Sequence, residues 1–261
     1  MEVGISTSCF YPLETERALE LIGKNGVKAT EIFFNALSEL GADFVSELKG
    51  ISDYYGIAVR SVHPTMSLAE SFMLFSAYDR RLYEGLDWYK RYGEIAARLG
   101  AKYVIMHGGK PNGVLDDNQY CERFLLISDA VAQNGAVLLQ ENVAKYRASS
   151  LEFLKNMVSQ IGGRAAFCLD VKQCLRGGYT PQDMLDAVGK NVRHLHISDH
   201  NAEKDCLLPG DGEYDFSALF RAAEECGFCG SAMIEVYRWA YSDEREVFSS
   251  LKNFGGGVIE T

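Results

Sequence analysis

Eight short apolar segments alternate with longer segments of helical periodicity along the chain, and this alternation constrains the fold more than any other feature. The candidate strands are 2–6, 28–34, 57–62, 102–106, 136–141, 165–170, 192–197 and 231–236. The helical segments lie near 13–25, 37–56, 78–99, 116–134, 150–161, 180–188, 215–226 and 242–254. Strict alternation predicts parallel strands that are joined by right-handed crossovers.

The number of strand–helix units favours a closed barrel over an open sheet. Eight units in 261 residues match a (β/α)8 barrel, which typically has about 250 residues. An open doubly wound sheet often has a glycine-rich phosphate-binding turn after its first strand. This chain instead has Ser6-Thr7-Ser8-Cys9-Phe10 at that point. We therefore predict an α/β fold with a single TIM-barrel domain over residues 1–261.

The charge and cysteine content argue against several classes of partner. With 26 basic and 36 acidic residues the formal net charge is −10, which opposes binding to nucleic acid and to anionic membranes. No apolar run approaches the ~18 to 20 residues of a membrane span, and the first residues do not resemble a signal peptide. The seven cysteines are scattered and odd in number, which is typical of reduced thiols. We expect a cytoplasmic protein.

Four of the predicted strands end in a side chain that can bind a metal. They are Glu141, Asp170, His196 and Glu235. A lone buried carboxylate costs several kcal/mol unless it is paired or bound to a cation, and the carboxyl ends of barrel strands share one rim. We therefore predict one divalent ion at this rim. The oxygen-rich set favours Mn²⁺ or Mg²⁺, with Zn²⁺ or Co²⁺ possible.

Other polar and aromatic residues near the predicted strand ends are candidates for substrate binding. His63 and His107 each end a strand, and together they could orient a polyol or bind another cation. Trp239 follows Glu235 on the same rim and could form a wall of a sugar pocket. His194 precedes His196 by two residues and is interpreted as a core residue.

The motifs and their order resemble the xylose-isomerase-like barrel superfamily over almost the whole chain. This superfamily includes sugar isomerases and epimerases, hydroxypyruvate isomerases, inosose dehydratases and the endonuclease IV type of DNA-repair enzyme. The resemblance rests on Ser61-Val62-His63-Pro64, Met106-His107-Gly108-Gly109, Gln140-Glu141-Asn142, Leu169-Asp170-Val171, His194-Leu195-His196-Ile197-Ser198-Asp199, Pro209-Gly210-Asp211-Gly212-Glu213-Tyr214-Asp215 and Ile234-Glu235.

The resemblance implies one metal ion held by Glu141, Asp170, His196 and Glu235. It also implies that Glu141 and Glu235 are the catalytic acid and base on opposite faces of a sugar or keto-polyol. Proton transfer through a metal-bound enediolate would then epimerise or isomerise the substrate.

The chain departs from the family pattern at two places. Many relatives have a histidine three residues after the strand-six aspartate, where this chain has Gln173. Epimerases of the family tend to have an arginine before the Pro-Gly turn, and the corresponding segment here contains Lys204. Gln173 can still bond a hydroxyl, and Lys204 or the nearby His200 could replace the arginine. Gln173 and Lys204 are therefore candidate substrate contacts.

Three alternatives to an isomerase stay open on the sequence. An inosose-type dehydratase would use the same proton abstraction and then lose hydroxide. An abasic-site nuclease of the endonuclease IV type fits less well, since Gln173 replaces a metal-binding histidine and the net charge opposes DNA. A binding protein that has lost the chemistry is the third. The sequence leaves the oligomeric state open, including a homo-oligomer.

Overall fold

Eight parallel strands close into a barrel in the order in which they occur along the chain. A computed structural model describes residues 1–65 and 67–254. The strands are β1 (Glu2–Ser6), β2 (Ala29–Phe33), β3 (Ala58–His63), β4 (Tyr103–Met106), β5 (Val137–Glu141), β6 (Phe167–Asp170), β7 (Val192–Ile197) and β8 (Ser231–Ile234). Because β1 pairs with both β2 and β8, the sheet has no free edge. The predicted single-domain TIM barrel is confirmed.

Helices connect successive strands. In the described residues they are α1 (Thr15–Lys24), α2 (Ala42–Tyr55), α3 (Ser67–Met73), α4 (Asp79–Leu99), α5 (Asp117–Ala132), α6 (Leu151–Ile161), α7 (Val171–Arg176), α8 (Pro181–Val188), α9 (Phe216–Glu225) and α10 (Glu244–Ser250). Each predicted helical segment contains one of them. The predicted segment 37–56 divides into a 3-10 turn, Leu37–Leu40, and α2.

Two short helices, α3 and α7, were not predicted. They have seven and six residues. A helical period needs a window of about 11 to 18 residues to be recognised, so elements of this length leave no clear pattern in the sequence. Both follow the carboxyl end of a strand, and α7 begins directly after β6.

Alternation along each strand decides which side chains enter the barrel. In β5, Gln140 points outward and accepts a 2.7 Å hydrogen bond from Tyr120 of α5. Leu139 and Glu141 therefore point inward. A small apolar cluster from β4, β5, β6 and the residue before β6 fills part of the interior. It consists of Tyr103, Ile105, Leu139, Ala166 and Cys168. The larger apolar core contains the outward-facing strand residues and the buried faces of the helices.

The barrel leaves no room for a side chain at Gly4 of β1. A Cβ atom there would lie 2.2 Å from the carbonyl oxygen of Ala29 on β2 and 2.8 Å from the sulfur of Met233 on β8. Glycine is needed at this position because neighbouring backbone approaches closely.

Two predictions from composition concern the cysteines and membrane-spanning segments. All seven cysteines carry free thiols, in agreement with the prediction that they form no disulfide framework. In the described part of the chain, every α-helix is too short or too polar to cross a membrane.

Candidate metal centre

The four predicted metal ligands meet at the carboxyl end of the barrel, and we call them the strand-end cluster: Glu141, Asp170, His196 and Glu235. Asp170 of β6 is in register with His196 of β7, and the Glu235 amide donates to the Ile197 carbonyl at 3.0 Å. Nδ1 of His196 lies 3.1 Å from Oε1 of Glu141 and 3.5 Å from Oε2 of Glu235. The same nitrogen lies 3.9 Å from Oδ2 of Asp170. One ligand atom from each residue lies within 4.8 Å of the other three, so they can share an ion.

The two carboxylate oxygens of Asp170 have different partners. Oδ1 accepts a 3.0 Å hydrogen bond from the backbone N–H of Gln173 and so caps α7. Oδ2 faces His196 in the strand-end cluster. The Asp170 backbone N–H also donates to the side chain of Asn142, which follows β5, at 2.7 Å. These bonds orient one oxygen of Asp170 toward the centre.

Glu31 of β2 is a buried residue that the sequence analysis missed, and it orients His196. Its carboxylate accepts hydrogen bonds from Ser61 Oγ at 2.7 Å and from Ser6 Oγ at 3.1 Å, and it lies 3.0 Å from Nε2 of His196. Because Glu31 holds a proton on Nε2, loss of the other ring proton would leave Nδ1 of His196 able to bind a cation. Metal-binding histidines commonly have such a carboxylate partner. The available signal was a carboxylate in the middle of the predicted strand 28–34.

His194 is the buried residue that the sequence analysis expected. Its Nε2 lies 3.1 Å from Ser61 Oγ, and Nδ1 has no hydrogen-bond partner in the described structure. Burial, with the neighbouring His196, lowers the pKa of His194 to about 3, so its imidazole is neutral. The structure therefore places His196, and not His194, beside Glu141.

The predicted substrate contacts His63 and His107 lie on the other side of Glu141. Oε2 of Glu141 lies 2.9 Å from Nε2 of His107 and 3.6 Å from Nε2 of His63. The two histidine Nε2 atoms are 3.1 Å apart. The three side chains form a second group that could hold a cation, and it shares Glu141 with the strand-end cluster. The sequence left two roles open for these histidines, orienting a polyol and binding another cation. Both roles fit this geometry.

Glu70 of α3 is a second buried residue that the sequence analysis missed. Its carboxylate accepts hydrogen bonds from the backbone N–H groups of His107 at 2.9 Å and Gly108 at 2.8 Å. It also accepts a 2.6 Å bond from the hydroxyl of Tyr89 on α4. Because the loop after β4 is held through its backbone, Glu70 positions His107 in the cavity. The short α3 gave no periodic signal that could have revealed it.

Lys172 of α7 is the third missed residue, and it lies inside the centre. Its side chain is only 4% exposed, and Nζ contacts Oδ2 of Asp170 and lies 2.5 Å from Oε2 of Glu235. These are the same two oxygens that face His196. A lysine two residues after a strand end has no distinctive pattern in the sequence.

The remaining predicted substrate contacts differ in position. Gln173 lines the cavity, and its side-chain oxygen accepts a 2.9 Å hydrogen bond from the Ala144 amide. Lys204 is exposed on the loop after β7. Trp239 is 59% exposed and stacks on Tyr237, which lines the cavity, with ring centroids 5.6 Å apart. Lys204 and Trp239 therefore lie outside the wall, and their substrate roles stay predictions.

A cavity of about 340 Å³ opens at this rim, and its wall contains both Glu141 and Glu235. Phe33 forms part of the wall and stacks on His63 with a centroid distance of 4.5 Å. Val236 adds another apolar side chain. The volume is in the range of pockets for small molecules, about 300–1,000 Å³. An apolar wall beside convergent polar groups suits a sugar.

Burial and neighbouring charges move the carboxyl groups of the strand-end cluster in different directions. Burial raises the pKa of Asp170 to about 7, opposed by Lys172 and assisted by the two glutamates. For Glu235, burial acts in the same direction, but Lys172 and His196 outweigh it and lower the pKa. For Glu141, the neighbouring histidines outweigh burial and lower the pKa well below its usual value. Both glutamates are therefore ionised at neutral pH, and an ionised carboxylate can accept a proton.

Comparison with known proteins identifies the family. Residues 19–253 match the model of the xylose isomerase-like TIM barrel family. The chain belongs to this family. The resemblance drawn from the sequence motifs is thereby confirmed.

This xylose isomerase-like barrel has both characterised and uncharacterised relatives. It is 24% identical over 264 residues to an uncharacterised protein of Mycobacterium leprae, covering 90% of this chain and 89% of the relative. It is 20% identical over 259 residues to fructoselysine 3-epimerase of Escherichia coli O157:H7, covering 94% of each chain.

Solved structures share the fold of the xylose isomerase-like barrel. A D-tagatose 3-epimerase-like protein superposes with a TM-score of 0.81 at 18% identity, over 98% of this chain and 96% of the other. The IOLI protein with a bound zinc atom superposes with a TM-score of 0.76 at 18% identity, over the same shares of the two chains. At these identities the likeness establishes the fold.

The side chains of this xylose isomerase-like barrel fit a divalent cation. The strand-end cluster offers three carboxylates and one imidazole, a donor set that suits such ions. Oε2 of Glu141 is buried, and the nitrogens nearest to it are Nε2 of His107 at 2.9 Å and Nε2 of His63 at 3.6 Å. Four carboxylates lie close together here, those of Glu31, Glu141, Asp170 and Glu235. Among the residues that the structure describes, the one ammonium group in contact with any of them is that of Lys172, which contacts Asp170 and Glu235. A bound cation would offset negative charge that is costly to bury.

Proposed function

We propose that this protein is a divalent-metal-dependent epimerase or isomerase of a small sugar or keto-polyol. The observation that carries the proposal is the convergence of Glu141 and Glu235 on Nδ1 of His196, at 3.1 and 3.5 Å, in the wall of one cavity. Two carboxylates beside a cation site can serve as base and acid on one substrate.

The proposed chemistry is a proton transfer next to a carbonyl group. A divalent cation held by the strand-end cluster would polarise the carbonyl and the adjacent hydroxyl, and so acidify the carbon-bound proton. One of Glu141 and Glu235 would remove this proton, which leaves an enediolate. The other would take up a proton from solvent and deliver it to carbon, and the first would then release its proton to solvent. Delivery to the opposite face of the same carbon gives an epimer. Delivery to the neighbouring carbon, with the remaining hydroxyl proton moving to the former carbonyl oxygen, gives an aldose–ketose isomer.

The cavity residues support a polyhydroxylated substrate. His63 and His107 lie beside Glu141, within reach of a hydroxyl bound there. The side-chain oxygen of Gln173 accepts from the Ala144 amide, which leaves the amide NH₂ of Gln173 as a donor for a substrate oxygen. The names of the fructoselysine 3-epimerase and D-tagatose 3-epimerase-like relatives make ketoses the first substrates to test.

The proposal is tested by incubating the Mn²⁺-loaded protein with a panel of ketoses and keto-polyols in deuterated water. We expect deuterium at one carbon and a new stereoisomer, followed by NMR and mass spectrometry. Loss of water from the substrate would instead identify a dehydratase. No exchange with any member of the panel would contradict the proposal.

The variant Glu235→Gln removes one of the two proposed proton carriers while keeping the size of the side chain. We expect turnover to fall by about 10²- to 10⁴-fold with an unchanged fold by circular dichroism. Glu213→Gln is the matched control, because Glu213 is exposed on the loop after β7 and makes the same change of charge. Activity of Glu235→Gln equal to that of Glu213→Gln would rule out the acid–base role of Glu235.

A further inference from the structure

Lys172 is placed where a metal ion would compete with it. Its Nζ contacts Oδ2 of Asp170 and lies 2.5 Å from Oε2 of Glu235. These two oxygens are also the ones that face Nδ1 of His196, at 3.9 and 3.5 Å. A divalent ion binds carboxylate oxygen at about 2.0–2.5 Å. An ion bound to both oxygens would therefore lie close to the ammonium group, and the two positive charges would repel each other.

The position of Lys172 is built into the fold. Asp170 is both the last residue of β6 and the N-cap of α7, and Lys172 is the second residue of that helix. The backbone of Lys172 is therefore held two residues after Asp170, one of the two carboxylates that its side chain contacts. The side chain is 4% exposed, so the ammonium depends mainly on Asp170 and Glu235 rather than on bulk water for its partners.

Two other groups lie near enough to hold the ammonium if it leaves the carboxylates. The carbonyl oxygen of Glu235 is 3.5 Å from Nζ of Lys172. The ring of Tyr237 has its centroid 5.9 Å from the same nitrogen, within the range of a cation–π contact. A small movement of Lys172 could therefore release Asp170 and Glu235 without leaving the charge unpartnered.

We propose that Lys172 is a tethered cation that competes with the divalent ion for Asp170 and Glu235. The proposal rests on the metal centre of the proposed function. Lys172 offsets part of the negative charge of these two carboxylates when they hold no ion, which stabilises the folded barrel without metal. Binding of the ion requires the ammonium to move away, so Lys172 weakens metal affinity.

The test measures Mn²⁺ binding without substrate, by isothermal titration calorimetry and by electron paramagnetic resonance of free Mn²⁺. Lys172→Met keeps a long apolar side chain and removes the charge. We expect its dissociation constant for Mn²⁺ to be lower than that of the wild type by about tenfold or more. We also expect Lys172→Met to have a lower Tm without metal and a larger rise in Tm on adding Mn²⁺.

Lys204→Met is the matched control, since Lys204 is exposed on the loop after β7 at the same end of the barrel. This variant makes the same change in net charge, and we expect Mn²⁺ affinity within about twofold of the wild type. Equal tightening in both variants would overturn the proposal, because the effect would then come from net charge alone. If Lys172→Met does not fold, Lys172→Gln provides an uncharged side chain that can still donate to both carboxylates.

Unchanged or weaker Mn²⁺ binding by the uncharged variant at Lys172 would overturn the proposal. A complete absence of Mn²⁺ binding by both the wild type and this variant would also overturn it. Failure of this inference is distinguishable from failure of the proposed function. Tighter binding by Lys172→Met without turnover of any sugar by the wild type would support the competition and contradict the epimerase. Turnover by the wild type with no effect of Lys172→Met on Mn²⁺ affinity would support the epimerase and contradict the competition.

Discussion

Replacing Glu31 with glutamine tests how the centre is built, because Glu31 contacts His196 but is not itself a member of the strand-end cluster. Glu31 lies 3.0 Å from Nε2 of His196 and is completely buried. Glutamine has nearly the same size but lacks the negative charge. Its NH₂ group can also donate to Nε2, which would move the imidazole proton to Nδ1 and block the nitrogen that faces the cluster.

The expected loss follows from the number and type of bonds that Glu31 makes. Its carboxylate accepts from Ser6 and Ser61 as well as pairing with His196. The amide oxygen of glutamine can keep some of these bonds, so we expect a loss of unfolding free energy of about 1–2 kcal/mol. Loss of the carboxylate partner of a metal-binding histidine typically costs about 10- to 100-fold in metal affinity or activity. Binding of Mn²⁺ should therefore weaken by that factor.

The assay compares Mn²⁺ affinity by calorimetry with stability by urea denaturation. Ser61→Ala serves as the control, because it removes a donor to the same carboxylate and leaves the pair between Glu31 and His196 in place. We expect Ser61→Ala to change metal affinity by less than about threefold. Wild-type Mn²⁺ affinity in Glu31→Gln would refute the reasoning that this carboxylate fixes the proton on His196.

Three further predictions concern the fold. Glu70→Ala leaves three buried donors without their acceptor and should cost about 3–5 kcal/mol, measurable by urea denaturation; a loss under about 1 kcal/mol would contradict its role. Gly4→Ala places a Cβ atom 2.2 Å from the Ala29 carbonyl oxygen and should lower the Tm by roughly 5 °C or more, so an unchanged Tm would argue against this close approach. Arg60→Met breaks a 2.6 Å ion pair with the half-exposed Glu2 and should cost at most about 1 kcal/mol, whereas a larger loss in low salt and in high salt alike would show another role for Arg60.

Local patterns in the sequence were enough to predict the barrel. Each strand is a short apolar run, and the predicted boundaries lie within two residues of β1 to β8. Burial of both faces of a parallel strand requires such runs, and helices between them require a 3.6-residue period. These are properties of neighbouring residues, so they can be recognised without knowledge of tertiary contacts.

The strand-end cluster was predictable for a related reason. Glu141, Asp170 and His196 are the last or next-to-last residues of their strands, and Glu235 follows β8 directly. In a closed parallel barrel all carboxyl ends lie on one rim, so chain position alone brings such residues together. The topology, once predicted, placed four residues that are far apart in the chain.

The residues that complete the centre were decided only by the tertiary structure. Glu31 lies opposite Ser61 through the register of β2 and β3, and Glu70 and Lys172 belong to helices too short to show a period. Each is a single polar residue whose partners come from other elements of the fold. A local pattern records whether a residue is apolar or polar, whereas register and helix placement depend on the packing of the whole barrel. For that reason the sequence determined the rim and the four side chains that meet there, and the tertiary structure decided which charges surround them.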